Sequence, residues 1–136
     1  VIAERASTLQ DFLRFGRFFF ALPDYHPELL IWKESAPAKT AEILKKIYEQ
    51  FRALELTDFH RERLVFALAE LIDEEGRGSV LWPLRVAVSG KAASPDPIEI
   101  VEVLGRDECL VRLKKAIEIL KQQMTTNDND VISHKL

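Results

Sequence analysis

The chain has 136 residues, 19 basic and 22 acidic side chains, a net charge of −3, and 47% hydrophobic against 30% charged content. That balance excludes a disordered or collagen-like chain, and no uninterrupted apolar run approaches the ~20 residues needed to cross a bilayer. The single cysteine, Cys109, excludes an intramolecular disulfide framework and fits a reducing compartment.

Five glycines and six prolines leave long stretches without breakers, which favours helices over a many-stranded sandwich. The start at Val1 shows neither a charged, apolar leader nor an Arg/Ser-rich one, and reads as a piece of something longer. Ile2 to Phe20 reads as helical, with Gly16 and the Phe18–Phe20 cluster marking a break or a deeply buried end. Leu22 to Pro37 holds three prolines and reads as a connector, with a short buried turn at Leu29 to Trp32. From Pro37 to Leu54, Leu44, Ile47, Tyr48 and Phe51 recur at offsets 0, 3, 4 and 7, one face of a helix. Leu64, Ala67, Leu68, Leu71 and Ile72 repeat the pattern between Asp58 and Glu75, with Thr57 or Asp58 as N-cap, a three-residue joint before it, and Gly76 and Gly78 as the stop.

The β-branched run Val80 to Ser89 suits a strand or a helix. Pro83 decides for a helix starting near Trp82, since in the first turn its missing N–H costs little, and Gly90 ends it. For Ile98 to Leu104, Asp96 as N-cap, Pro97 at the first helical position and Glu99 three residues after the cap form a capping-box start, with Gly105 closing. A last helix carries Leu110, Leu113, Ile117, Leu120 and Met124 on one face. Residues 125–136 read as a polar, disordered tail, which leaves one domain over 1–124. No repeat period is present, and the expected class is all-α, an irregular helical bundle.

Catalytic signatures are missing. Gly76-Arg77-Gly78 lacks the third glycine of a dinucleotide loop, and no Gly-Lys-Ser/Thr follows it. His26, His60 and His134 lack metal-ligand spacing, and Cys109 reads as a small packed residue. Asp73, Glu74 and Glu75 read as a solvated helix end, and Trp32 with the Phe18–Phe20 cluster as core.

One segment stands apart. From Gly76 to Pro95 there is no acid, only Arg77, Arg85 and Lys91, with Trp82 among them. Trp82, Arg85, Lys91, Ser94 and Pro95 flank a loop between two short helices. Single-stranded RNA is read by splaying its bases onto aromatic or guanidinium planes, and Trp82 and Arg85 offer such planes three residues apart on one helix face. The same pattern also suits a packed helix corner, and the residues alone leave both readings open.

The block Ser79-Val80-Leu81-Trp82-Pro83-Leu84-Arg85-Val86-Ala87-Val88-Ser89-Gly90-Lys91, with Ala93-Ser94-Pro95 and Glu99 to Gly105, resembles the carboxy-terminal anticodon-binding region of bacterial-type glutamyl-tRNA synthetases. Glu4-Arg5-Ala6, Thr8-Leu9, Asp11, Phe18–Phe20 and Leu110 to Leu120 extend the resemblance over about Val1 to Lys121. It implies an all-helical cage around the anticodon loop of glutamate tRNA, with Trp82, Arg85, Ser94, Pro95, Pro97 and Ile98 lining the base pocket. Many relatives carry a Gly-Leu-Phe-like sequence where this chain has Asp96-Pro97-Ile98. The resemblance further implies a fragment of a cytoplasmic, monomeric class I ligase of protein biosynthesis, whose catalytic half, using ATP and Mg, lies elsewhere. Neither that half's His-rich ATP-binding signature nor its Lys-Met-Ser-Lys-Ser-like loop is present, so the fragment is expected to be inactive alone, with no metal, no DNA and no membrane partner. The rival expectation is a helical protein-interaction module.

Overall fold

The structure, a computed structural model, describes residues 21–135, with side chains from Ala21 to Met124. The helix read between Ile2 and Phe20 lies outside the described residues, as do the matches quoted there. The described residues contain five α-helices and no strand.

The connector holds a short turn, but it lies at Pro27–Leu30 rather than Leu29 to Trp32, and Leu29, Ile31 and Trp32 are only half-buried. A 3-10 turn, Pro27–Leu30, is capped by His26, whose Nδ1 accepts from the Glu28 N–H at 3.3 Å, and it buries Leu30 completely. Helix α1 (Pro37–Ala53) opens on Pro37, where a missing N–H is no loss, and buries Leu44, Ile47 and Phe51. Tyr48, on the same face, is half-buried.

Helix α2 (Arg61–Glu75) starts later than expected, after a 3-10 turn at Leu56–Asp58, so the joint is Leu54–His60 rather than three residues. Thr57 and Asp58 are spent in that turn, and His60 takes the N-cap position without a side-chain hydrogen bond. The end of α2 is instead satisfied from across the chain: Glu102 Oε2 accepts from the Arg61 N–H at 2.7 Å. Leu64, Leu68 and Leu71 are buried along its inner face, and Phe59 meets Phe51 edge to face at 5.5 Å.

Helix α3 (Arg77–Ser89) corrects two expectations. Gly76, at φ +94°, both ends α2 and precedes α3, so the helix begins five residues before Trp82 and Pro83 lies in its interior. Gly78 is no breaker but a helical residue. A Cβ there would fall 2.4 Å from the Trp32 ring, so a side chain is excluded by packing rather than by backbone conformation. The stop at Gly90 is as read, in the left-handed conformation at φ +72°. Val80, Leu84, Val86, Ala87 and Val88 are fully buried, and α3 touches every other helix.

Helix α4 (Pro97–Leu104) has the expected start, with Asp96 Oδ1 accepting from the Ile98 N–H at 3.0 Å, and ends at Gly105. Helix α5 (Arg106–Lys135) packs most extensively on α1 through Leu113, Ala116, Ile117 and Leu120, and its backbone continues past Met124 through the polar segment. Cys109 is buried in this core, and burial pushes its thiol well above the usual range.

Two arginines of α5 close the ends of other helices. Arg112 is only 2% exposed and donates from Nη1 to the Val88 carbonyl at 2.6 Å, in the last turn of α3, while Nε meets Glu108 at 3.2 Å. Arg106 donates to the Leu54 carbonyl, the C-cap of α1, at 3.0 Å. The last carbonyls of a helix lack intrahelical donors and carry partial negative charge, so a cation is a favourable partner there.

Candidate nucleic-acid interface

The packing of α3 against the first 3-10 turn and α4 leaves a surface cleft of about 390 Å³. It is lined by Trp32, Arg77, Gly78, Leu81, Trp82, Arg85, Asp96 and Pro97. Trp82 and Arg85 share the outer face of α3, as their spacing requires, and both are half-buried. Trp82 is anchored at one end: its Nε1–H donates to the Leu29 carbonyl at 2.8 Å, and its ring lies 5.4 Å from that of Trp32, tilted by 42°. An indole held by its N–H is fixed in orientation and keeps a π-face for a partner.

Arg85 organises the loop between α3 and α4. Its Nη1 donates to the Ser94 carbonyl at 2.6 Å, to Ser94 Oγ at 3.0 Å and to the Pro95 carbonyl at 3.2 Å. The loop is also tied at its start, where Ser89 Oγ donates to the Arg85 carbonyl at 2.7 Å and accepts from the Lys91 N–H at 3.1 Å. One guanidinium edge is thus committed to the loop backbone, and the Ser94–Pro95 segment is held against α3 by a charged donor.

Asp96 follows the acid-free stretch directly and lines the cleft. Its carboxylate meets the Arg61 guanidinium at 2.7 Å, joining the start of α2 to the start of α4. Partial burial alone would raise its pKa. The Arg61 hydrogen bond, the Ile98 N–H and the charges of Arg61 and Arg85 outweigh burial and hold the carboxyl below its ordinary value. The carboxylate therefore stays ionised, already paired, and Arg77 remains exposed on the cleft.

The structure thus gathers Trp82, Arg85 and Pro97 around one cleft, with Ser94 and Pro95 bonded to Arg85 beside it. Lys91 is exposed and does not line the cleft. Ile98 is 6% exposed and belongs to the hydrophobic core. Sequence reasoning missed Trp32, assigned to the core from its place in the connector, and Arg77 and Leu81. The acid-free stretch contained Arg77, but only the helix running from residue 77 puts it, Leu81 and Arg85 on successive turns of one face. Among the described residues no group of His, Cys, Asp and Glu is placed to hold a metal, and no helix is long and apolar enough to cross a membrane.

Comparison with known proteins agrees with the geometry. A family model described as anticodon binding domain matches residues 1–117. A glutamate–tRNA ligase of Clostridium botulinum is 33% identical over 86% of this chain and 25% of its own length, and one of Christiangramia forsetii is 32% identical over 89% and 24%. The crystal structure of a glutamate tRNA ligase from Elizabethkingia meningosepticum, in complex with its amino acid, superposes with a TM-score of 0.65 and 28% identity over 84% of this chain and 22% of its own. The chain spans about a quarter of the length of the curated relatives it matches.

Proposed function

Because the chain belongs to the anticodon-binding domain family, we propose that it is the part of a glutamate–tRNA ligase that holds the anticodon loop of glutamate tRNA. The observation that carries the reading is the cleft itself, which offers an anchored indole, two guanidinium groups and one already neutralised carboxylate. Unpaired bases present a π-face and hydrogen-bonding edges, and phosphates present negative charge, so this combination suits a single-stranded loop better than a duplex. Arg85 fixes the loop at Ser94 and Pro95, so base edges meet backbone groups set in place before the RNA arrives. Little ordering is then left to oppose binding.

In the whole enzyme, ATP with magnesium would drive formation of glutamyl-adenylate, followed by transfer of glutamate to the terminal adenosine of the tRNA. This chain would contribute recognition rather than chemistry, in a cytoplasmic enzyme acting as a monomer. The test is a gel shift of glutamate tRNA against a version with its anticodon replaced. Preference for the native anticodon is expected, and equal binding of both would refute the reading.

A further inference from the structure

Trp32 and Lys33 form a turn closed by the Ser35 N–H, which donates to the Trp32 carbonyl at 3.0 Å. Lys33 occupies this turn at φ +52°, the one positive φ of a non-glycine residue among those described. A side chain in the left-handed region is strained, and glycine would adopt the geometry without that cost. The Lys33 ammonium lies 5.0 Å from the centroid of the Trp32 ring. Lys33 is exposed and the Trp32 ring half-buried, so the cation–π gain of a solvated ammonium does not exceed the strain, and the contact alone does not account for lysine here. The ring itself is placed with care: it packs where Gly78 lacks a Cβ, stands beside Trp82, and lines the cleft with Arg77.

We propose that Trp32, which lines the cleft, and Lys33, which lies against its ring outside the lining, are a second nucleotide-binding element taking one unpaired RNA base and its phosphate. The proposal rests on the anticodon-loop reading. The base stacks on the Trp32 face now covered by the lysine. The displaced ammonium pairs with that nucleotide's phosphate, and Arg77 meets an adjacent phosphate on the same wall. No bond is made or broken, and the ammonium exchanges a π-face for an anion. The acid lining the cleft, Asp96, is paired with Arg61 and does not compete for Lys33.

The probes are an anticodon stem–loop RNA with the glutamate anticodon and one with its anticodon replaced, titrated over a range of salt concentrations against the wild-type protein, Lys33→Gly, Arg77→Ala, Trp32→Leu and, as a reference, Arg85→Lys. Lys33→Gly is expected to keep or raise the melting temperature, because strain is relieved. The same variant should bind several-fold more weakly and flatten the slope of log K against log salt by about 0.7, the worth of one phosphate contact on a single strand. Arg77→Ala should flatten it similarly, and Trp32→Leu should lose about 5- to 150-fold, the range for one stacked base. Wild-type affinity and slope in Lys33→Gly would overturn the proposal, as would a loss of affinity that only tracks a loss of melting temperature. If Arg85→Lys weakens binding while Lys33→Gly does not, the anticodon reading stands and this element falls. If the wild type ignores the anticodon sequence, that reading falls, and the salt slope of Lys33→Gly still decides whether Lys33 meets a phosphate.

Discussion

The Trp82 anchor gives a sharp prediction, because Trp82→Phe keeps most of the ring and deletes one hydrogen bond. The lost donor is Nε1, 2.8 Å from the Leu29 carbonyl in a half-buried contact. An intramolecular hydrogen bond contributes about 0.5–1.5 kcal/mol net, and a buried acceptor left without a donor costs about 1–3 kcal/mol. Leu29 is only partly buried, so water can replace the indole in part. A loss near the low end, about 1–2 kcal/mol, is expected. For a chain of this size that lowers the melting temperature by about 3–8 °C. Urea denaturation of Trp82→Phe beside the wild type, with the slope of the transition unchanged, reads the value directly. Titration with glutamate tRNA on the same variant should show a loss of affinity, since the ring is smaller and free to rotate. Unchanged stability would mean that Trp82 is not held by the 3-10 turn, and the argument for a preset base platform would fail with it.

Arg112→Met should lower stability by about 2–4 kcal/mol in urea, because the Val88 carbonyl loses a buried charged donor, and an unchanged midpoint would contradict that link. Gly78→Ala gains about 1 kcal/mol of helix propensity but forces a Cβ to within 2.4 Å of the Trp32 ring, an overpacking cost of about 1–3 kcal/mol. A lower melting temperature and altered tryptophan fluorescence are expected, and a raised melting temperature would show that the ring does not occupy that space. The depressed pKa of Asp96 means that its contribution to stability is complete above its unfolded value of about 3.9 and is lost as pH falls through the lower folded value. Asp96→Asn should therefore lower stability near neutral pH and flatten its decline at acid pH, and an acid limb identical to the wild type's would exclude the pairing with Arg61.

The helices were legible where apolar periodicity and local caps agree. The face Leu44, Ile47 and Phe51, the Asp96-Pro97 start and the Gly90 and Gly105 stops all appear where their chemistry places them. Several helix ends are completed from elsewhere in the chain. The N-terminus of α2 is completed by Glu102, and the C-termini of α1 and α3 by Arg106 and Arg112, all distant in sequence and invisible to a search for neighbouring cap residues. Gly76 hid the start of α3 by serving two helices, and Pro83 pulled the expected start toward itself. In the cleft, the spacing of Trp82 and Arg85 was readable. The bonds from Arg85 to Ser94 and Pro95 required the loop to fold back, and Trp32 reached the site only because Gly78 makes room for its ring.

Calorimetric titration with two RNA hairpins that differ only in their three anticodon nucleotides decides whether this chain reads the anticodon loop. The hairpin with the glutamate anticodon is expected to bind at least about tenfold more tightly, with most of that preference lost in Arg85→Lys, which keeps the charge but not the planar fork. Equal affinity for both hairpins, or a preference untouched by Arg85→Lys, would contradict that role.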